Sequence, residues 1–261
     1  MRIQLVKGAD ADGSLLNIQT HDLLHELLEK IPSVDLLSPN PDVIHIMGEW
    51  NSHTEAILKD AVQRHIAVVY TPLCALSPWK NATSKVTHLS WKATMVVASG
   101  AMEQEYLDDG STDRHLMLIK NACTTNTTTA DDMVTQYLIA YDEAVRINDQ
   151  QLWTQVDSKV ALIKNTDATM MQLCRQFIYA QYLFQRRNIP QPFINDLATL
   201  LKQSNYDEDR LADILHLIRL HAFVARLETV MAEVSSLTEG YMPIPSLNDK
   251  TTKVILSYLT T

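Results

Sequence analysis

The stretch Asp42-Val43-Ile44-His45-Ile46-Met47-Gly48-Glu49-Trp50 decides the fold. Its apolar, β-branched centre predicts a buried strand that ends at Gly48. Further short apolar runs lie at residues 3–6, 67–70, 94–98 and 116–119, with segments of helical spacing between them at 15–30, 54–64 and 102–107. Short strands that alternate with helices are typical of a parallel sheet with helices on both faces. We therefore expect a Rossmann-like α/β domain over residues 1–128.

The second half of the chain has a different pattern. Between residues 111 and 239 there is no glycine, and the only prolines are Pro190 and Pro192. Helical arrays need few glycines, whereas βα turns use many. Apolar residues at helical spacing cover the segments 130–147, 150–164, 167–187, 191–203, 207–236 and 247–259. We expect an all-helical domain over residues 129–261. The expected fold class is α/β plus all-α, with the sheet domain followed by a helical bundle.

Composition excludes several classes of protein. A chain of 261 residues that is 46% apolar can bury enough surface to fold. Its net charge of −9 argues against a broad phosphate-binding surface, so we expect no nucleic-acid partner. No apolar run approaches the roughly 20 residues of a membrane span, and the first residues are too polar for a signal peptide. The three cysteines, Cys74, Cys123 and Cys174, are typical of reduced thiols, which favours a cytoplasmic location.

Polar residues follow the strand at 43–47, at the point where it ends. Ligands bind to open α/β sheets at the carboxyl ends of the strands. Trp50 offers a flat stacking surface there, and Glu49 offers a carboxylate that can accept sugar hydroxyls. His45 belongs either to this edge or to the core, where it would hydrogen-bond to the backbone while Trp50 packs inside. The sequence leaves both alternatives open.

The loop at residues 8–14, Gly-Ala-Asp-Ala-Asp-Gly-Ser, follows the first strand. Its two glycines have the spacing of a phosphate-binding loop, but no lysine follows them and its two aspartates would repel a phosphate. The pattern favours a structural turn in which Asp12 or Ser14 caps the next helix. The alternative is a loop that contacts substrate through Asp12 and Gly13.

Two histidine pairs are candidate metal ligands. His21 and His25 are four residues apart on a helix, but no third ligand lies at metal spacing, so a solvated helix edge is favoured. His216 and His221 are five residues apart and are not expected to face each other. We expect no metal site and no cofactor.

Four collinear stretches share motifs with one known family. Residues 42–50 match a D-V-I/V-H-x-H/x-G-x-W strand, and residues 71–79 are similar to a T-P-H/R-G-x-L-x-P-W loop. Residues 98–110 are similar to A-x-S-x-x-E-x-x-x-L-x-x-x-G, and residues 118–122 to a strand that ends in asparagine. Together they resemble the N-terminal, acceptor-side half of family 4 glycosyltransferases, which are retaining enzymes of the GT-B fold. The resemblance covers roughly residues 1–128.

The resemblance adds residues to the predicted site and also shows what is missing. The candidate substrate-binding residues are Asp12, Gly13, His45, Glu49, Trp50, Thr71, Ser99 and Glu103. A polar residue of the family's loop is Leu73 here, which cannot hydrogen-bond to a sugar. The family's second Rossmann-like half binds the nucleotide sugar and carries an E-x7-E pair, but no two glutamates lie eight apart in this chain. No catalytic residue is identified.

Three functions agree with this pattern. The leading one is a glycosyltransferase-like protein that lacks an ordinary nucleotide-sugar site and binds a glycan or a partner in glycan biosynthesis. The second is an active glycosyltransferase whose donor site is rebuilt at the domain interface. The third is a non-enzymatic protein whose helical domain docks a protein partner.

Overall fold

The computed structural model describes residues 1–8, 15–48, 52–71, 93–98, 115–123, 128–164 and 166–260. The chain divides into two compact units, Met1–Gln150 and Gln151–Thr261. The first unit contains a five-stranded parallel sheet and the second is helical, which confirms the expected fold class. Within the described ranges, no helix has both the length and the apolar character that a membrane span requires.

The sheet of the first unit has the strand order β1-β2-β3-β4-β5, and all its neighbours are parallel. The strands are β1 Ile3–Lys7, β2 Val43–Met47, β3 Ala67–Thr71, β4 Met95–Ala98 and β5 His115–Leu118. Every residue of β2 and β3 is buried. Strands inside a parallel sheet are covered on both faces, which explains why these two are apolar at nearly every position.

Helices cover both faces of this sheet. They are α1 Leu15–Glu29, α2 Ser52–Gln63 and α3 Ala130–Val160. On one face, Met47 packs in a core with Leu28 of α1 and Tyr141 of α3. On the other face, Ile46 packs with Leu58 of α2. Successive strand residues alternate between the two faces, so one strand supplies both cores.

A single residue beyond β1 explains why helices lie on both faces. After α1, Asp35 pairs in parallel with Arg2 on the side of β1 that faces away from β2. The Ile3 N–H donates to the Asp35 carbonyl at 2.9 Å, and the Asp35 N–H donates to the Met1 carbonyl at 2.9 Å. The chain therefore moves outward from β1 through α1, returns past β1 to β2, and continues through α2 to β3. Because βαβ crossovers are right-handed, this reversal places α1 and α2 on opposite faces. The reversal is a topological switch point between β1 and β2.

The second unit contains the end of α3 and further helices, α4 Ala168–Arg186, α5 Gln191–Gln203, α6 Glu208–Leu217, α7 His221–Ser235 and α8 Lys250–Ser257. A short parallel pair joins β6 Ile189–Pro190 to β7 Leu259–Thr260. Asp167, Asp207 and Asp249 cap the N-termini of α4, α6 and α8 by accepting backbone N–H groups. The core contains Phe177 and Leu227, which are fully buried.

Two helices end at places that the sequence pattern did not predict. The predicted helices 130–147 and 150–164 are one helix, α3, because nothing near residue 148 breaks it. The predicted helix 207–236 is two helices, α6 and α7. Arg219 adopts a left-handed φ of 60° between them and turns the chain. Neither glycine nor proline marks this turn, so hydrophobic spacing alone could not locate it.

The two compact units divide within α3. The first half of this helix packs Met133 and Tyr137 onto the sheet core, and the second half packs Leu152 and Val156 into the helical core. The predicted boundary after residue 128 assigns all of α3 to the helical domain. In the structure, the first half of α3 belongs with the sheet.

Candidate functional site

The candidate site is the carboxyl edge of the sheet at the switch point. Strand register places Lys7, Met47 and Thr71 level with one another at the ends of β1, β2 and β3. The Gly8 N–H donates to the Met47 carbonyl at 2.7 Å, and the Gly48 N–H donates to the Thr71 carbonyl at 2.9 Å. These bonds extend the sheet by one residue and fix the direction in which the chain leaves β1 and β2. Open α/β sheets bind ligands at this position.

Gly48 is required where β2 ends. Its φ is 101°, a backbone conformation that residues with a Cβ rarely adopt. The hydroxyl of Tyr70 donates to the Gly48 carbonyl at 3.1 Å and holds this conformation. In sequence, Glu49 and Trp50 follow directly, so the fixed Gly48 determines where the segment that carries them departs.

His45 lies beneath this edge in a buried network of polar side chains. Its Nδ1 is 2.7 Å from the hydroxyl of Tyr141, and its Nε2 is 2.8 Å from Oγ1 of Thr71. The hydroxyl of Tyr137 lies 3.4 Å from the same Thr71 oxygen. A neutral imidazole has one donor and one acceptor nitrogen, and hydroxyl groups can serve in either role. The network therefore satisfies both ring nitrogens and ties β2 and β3 to α3.

Burial keeps this network uncharged. It lowers the pKa of His45 to about 3, with a smaller contribution from the nearby His21. Burial also raises the pKa of Tyr137 to about 12 and raises that of Tyr141 well above its ordinary value. At neutral pH His45 is therefore a neutral imidazole with both nitrogens occupied. This arrangement positions the strand ends, and it does not supply a proton donor at neutral pH.

The structure brings two predicted site residues together. His45 and Thr71 are hydrogen-bonded to each other and buried. The partners of His45 are side chains, not the backbone groups of the alternative prediction. That His45 or Thr71 contacts a ligand stays a prediction. The other predicted residues lie outside the described ranges, namely Asp12, Gly13, Glu49, Trp50, Ser99 and Glu103.

Sequence reasoning missed the two tyrosines of the network. Tyr137 and Tyr141 are four residues apart, so they lie on one face of α3. Two tyrosines one turn apart on an otherwise apolar face could have indicated a buried polar partner. A second link was also missed. The Asn121 side-chain amide donates to Oγ1 of Thr20, a buried residue of α1, at 2.8 Å, which ties the segment after β5 to that helix.

The histidine pairs behave differently from each other. The rings of His21 and His25 are 6.4 Å apart, and His21 contacts the neighbouring Asp22. The expectation that His216 and His221 do not face each other is wrong, since their rings stack at 3.7 Å. The turn at Arg219 ends α6 and brings the start of α7 back over it. Within the described part of the chain, no group of three or more His, Cys, Asp or Glu residues could hold a metal ion.

Comparison of the chain with models of known protein families, with curated proteins and with solved structures found no match.

Proposed function

We propose that the first unit binds a carbohydrate at the carboxyl edge of its sheet, and that the protein is glycosyltransferase-like without an ordinary nucleotide-sugar site. The observation that carries the proposal is the switch point between β1 and β2. At such a point the connections from two neighbouring strands lead to opposite faces of the sheet, and this leaves a crevice outside the carboxyl ends of the strands. The described part of the motif that resembles the acceptor half of family 4 glycosyltransferases, β2 and Gly48, ends at this edge.

The residues that follow β2 supply suitable chemistry for a sugar. Trp50 provides an aromatic face for stacking, and Glu49 provides a carboxylate that accepts hydroxyl protons. Both come directly after Gly48, whose backbone is held by Thr71 and Tyr70. A strand end that is already rigid reduces the ordering entropy that binding next to it must overcome.

Two features favour binding over transfer. The chain has no E-x7-E pair, which the family uses on the donor side. In addition, His45, which lies beneath the edge, is neutral and has both nitrogens engaged. A general acid or base needs a pKa near the working pH and access to the reacting group.

Calorimetric titration with oligosaccharides and with UDP-, GDP- and ADP-linked sugars tests the proposal. We expect saturable binding of an oligosaccharide, weakened about tenfold by Glu49→Gln through loss of a charge-assisted hydrogen bond. Glu26→Gln, an exposed change on α1, is the matched control and should leave binding unchanged. Turnover of a nucleotide sugar would contradict the non-catalytic part. If folded protein binds none of the glycans in the panel, the proposal that the sheet edge binds a carbohydrate is contradicted.

A second candidate function, docking of a protein partner on the second unit, is favoured by one observation. Leu162 and Leu217 are 78% and 76% exposed, and both line a groove of about 410 Å³. Lys159 is the one charged residue among those that line it. The groove therefore suits an amphipathic helix with an acidic residue beside its apolar face. Fluorescence anisotropy with a synthetic helical Leu/Glu peptide should detect binding. The Leu217→Ser variant should lose this binding and the Leu247→Ser variant should keep it. Equal binding by both variants would exclude this groove as the peptide site.

A further inference from the structure

Glu228 on α7 is a buried carboxyl group to which no side chain donates a hydrogen bond among residues 151–164 and 166–260. The residue is 0% exposed, and neither of its carboxyl oxygens has a hydrogen-bond partner of acceptable geometry among residues 151–164 and 166–260. The N–H of Ile244 faces the group but only partly offsets the effect of burial, which raises the pKa of Glu228 to about 8. A buried polar group that makes no hydrogen bond is rare and is costly to fold. The carboxyl oxygens of Glu228 therefore keep acceptor capacity that the described residues do not fill.

An open cavity is lined by Ile244, the residue whose N–H faces Glu228, although Glu228 itself does not line it. It has a volume of about 550 Å³, within the range of small-molecule sites. The residues that line it are Glu208, Glu239, Met242, Pro243, Ile244, Pro245 and Ser246. Two are carboxylates, four are apolar, and none is basic. Ile244 therefore connects the cavity to Glu228, since it lines the cavity and its N–H faces the Glu228 carboxyl group.

Tyr206 lies within electrostatic range of both Glu208, which lines the cavity, and Glu228. Its pKa is raised to about 12, mainly by burial and to a smaller extent by the carboxyl groups of Glu208 and Glu228. The Tyr206 hydroxyl donates to the Tyr241 carbonyl at 3.2 Å, so it is not a donor to either acid. No lysine or arginine contributes to the pKa shift of Glu228. The cavity wall thus carries two carboxylates, and the nearby Glu228 carboxyl group has spare hydrogen-bond acceptor capacity.

We propose that this cavity binds an aliphatic amine, with the ammonium group directed to Glu228 and the carbon chain against Met242, Pro243 and Ile244. An ammonium group supplies the hydrogen-bond donors that the buried carboxyl lacks, and its methylene chain suits an apolar wall. A metal ion fits less well, because no group of three or more acidic, His or Cys ligands assembles among the described residues. Nothing in this inference depends on the carbohydrate site.

Binding changes the protonation of Glu228. At pH 7 the carboxyl group holds its proton and the free amine is already an ammonium ion. When the ammonium group pairs with Glu228, the carboxyl proton leaves to the buffer and a carboxylate–ammonium pair remains. Binding therefore releases about one proton at pH 7, and affinity rises toward pH 8.

Calorimetry in two buffers of different ionisation enthalpy tests the proposal. The probes are 1,5-diaminopentane and spermidine, with Nα-acetyl-lysine amide to distinguish a free amine from a lysine side chain of a polypeptide. We expect binding with release of about one proton, and we expect Glu228→Gln to abolish that release and weaken binding about tenfold or more. Glu233→Gln, an exposed change on the same helix, is the matched control and should bind like the parent.

Either of two results would overturn the proposal. One is absence of binding by all three probes to folded parent protein. The other is a Glu228→Gln variant that binds as tightly as the parent. Circular dichroism checks the fold of each variant. If Glu228→Gln does not fold, Glu239→Gln at the cavity mouth replaces it, and an unchanged affinity in that variant overturns the proposal.

Discussion

His45 in the sheet unit and Glu228 in the helical unit are both ionisable side chains with no exposed surface, but their surroundings are opposite. Side chains from β3 and α3 satisfy both nitrogens of His45. No side chain within the described residues of its unit donates to either oxygen of Glu228, and the Ile244 N–H offsets its burial only in part. The comparison teaches that burial alone does not identify a functional residue. A satisfied group stabilises the fold, whereas an unsatisfied one costs stability and is a candidate for an interaction that the folded chain does not itself supply.

The largest expected effect is on the pH dependence of stability, through Glu228→Gln. The folded protein keeps the Glu228 proton up to about pH 8, while the unfolded chain loses it near 4.5. Since the folded state then binds more protons, the free energy of unfolding falls between about pH 5 and 8 and levels off above 8. The variant has no such carboxyl group. The free energy of unfolding of the variant, relative to that of the parent, should therefore increase by about 1.4 kcal/mol per pH unit over this range. Urea denaturation at pH 5, 6, 7 and 8 measures it, and parallel pH profiles of variant and parent would break the comparison.

Tyr141→Phe tests the satisfied side of the comparison. It removes the hydroxyl bonded to Nδ1 of His45 and leaves a buried nitrogen unpaired, which should lower the free energy of unfolding by about 1–3 kcal/mol. Tyr241→Phe, an exposed tyrosine, is the control and should change stability by less than about 0.5 kcal/mol. Thermal and chemical denaturation measure both. Equal stabilities for the two variants would mean that the network does not support the fold.

Gly48→Ala sharpens the comparison at the sheet edge above His45. The φ of 101° strains any residue with a Cβ, and we expect a loss of about 1–2 kcal/mol in unfolding free energy. Gly240→Ala is a matched control, because an added Cβ there meets no atom within 4 Å. Guanidinium denaturation of both variants checks this. A neutral Gly48→Ala would show that the exit of β2 is not fixed as described.

The smallest expected effect is that of Leu217→Ser on stability. The Leu217 side chain is mostly exposed, so its replacement should change the free energy of unfolding by less than about 0.5 kcal/mol. Leu215, two residues earlier, is fully buried, and Leu215→Ala should lower the free energy of unfolding by about 2–5 kcal/mol. Differential scanning calorimetry distinguishes the two. Comparable losses would show that Leu217 belongs to the core and not to a free groove.

The sheet could be predicted because its strands carry their signal locally. The apolar run at 43–47 and its end at Gly48 gave β2 its correct bounds. The switch point could not be predicted, since the segment that reverses the sheet order is a single paired residue, Asp35. The break between α6 and α7 was missed for a similar reason, because Arg219 adopts a conformation that its identity does not indicate.

The candidate sites differ in the same way. His45 was singled out by its place on a strand, but its partners Tyr137 and Tyr141 come from about a hundred residues away in sequence, where only a tertiary structure can pair them. Glu228 did have a local signal. It lies beside Leu227 and between Val224 and Met231, all fully buried, on a helix whose acidic residues would otherwise face water.

A site-resolved NMR titration of Glu228 and His45 tests the central contrast most directly. With carboxyl carbons and imidazole rings labelled, we expect Glu228 to titrate near pH 8 and His45 to stay neutral down to about pH 4. Titration of Glu228 near 4.5 would contradict the account, because it would mean that the carboxyl group is solvated or already paired. Protonation of His45 near 6.5 would likewise contradict the closed network described for the sheet unit.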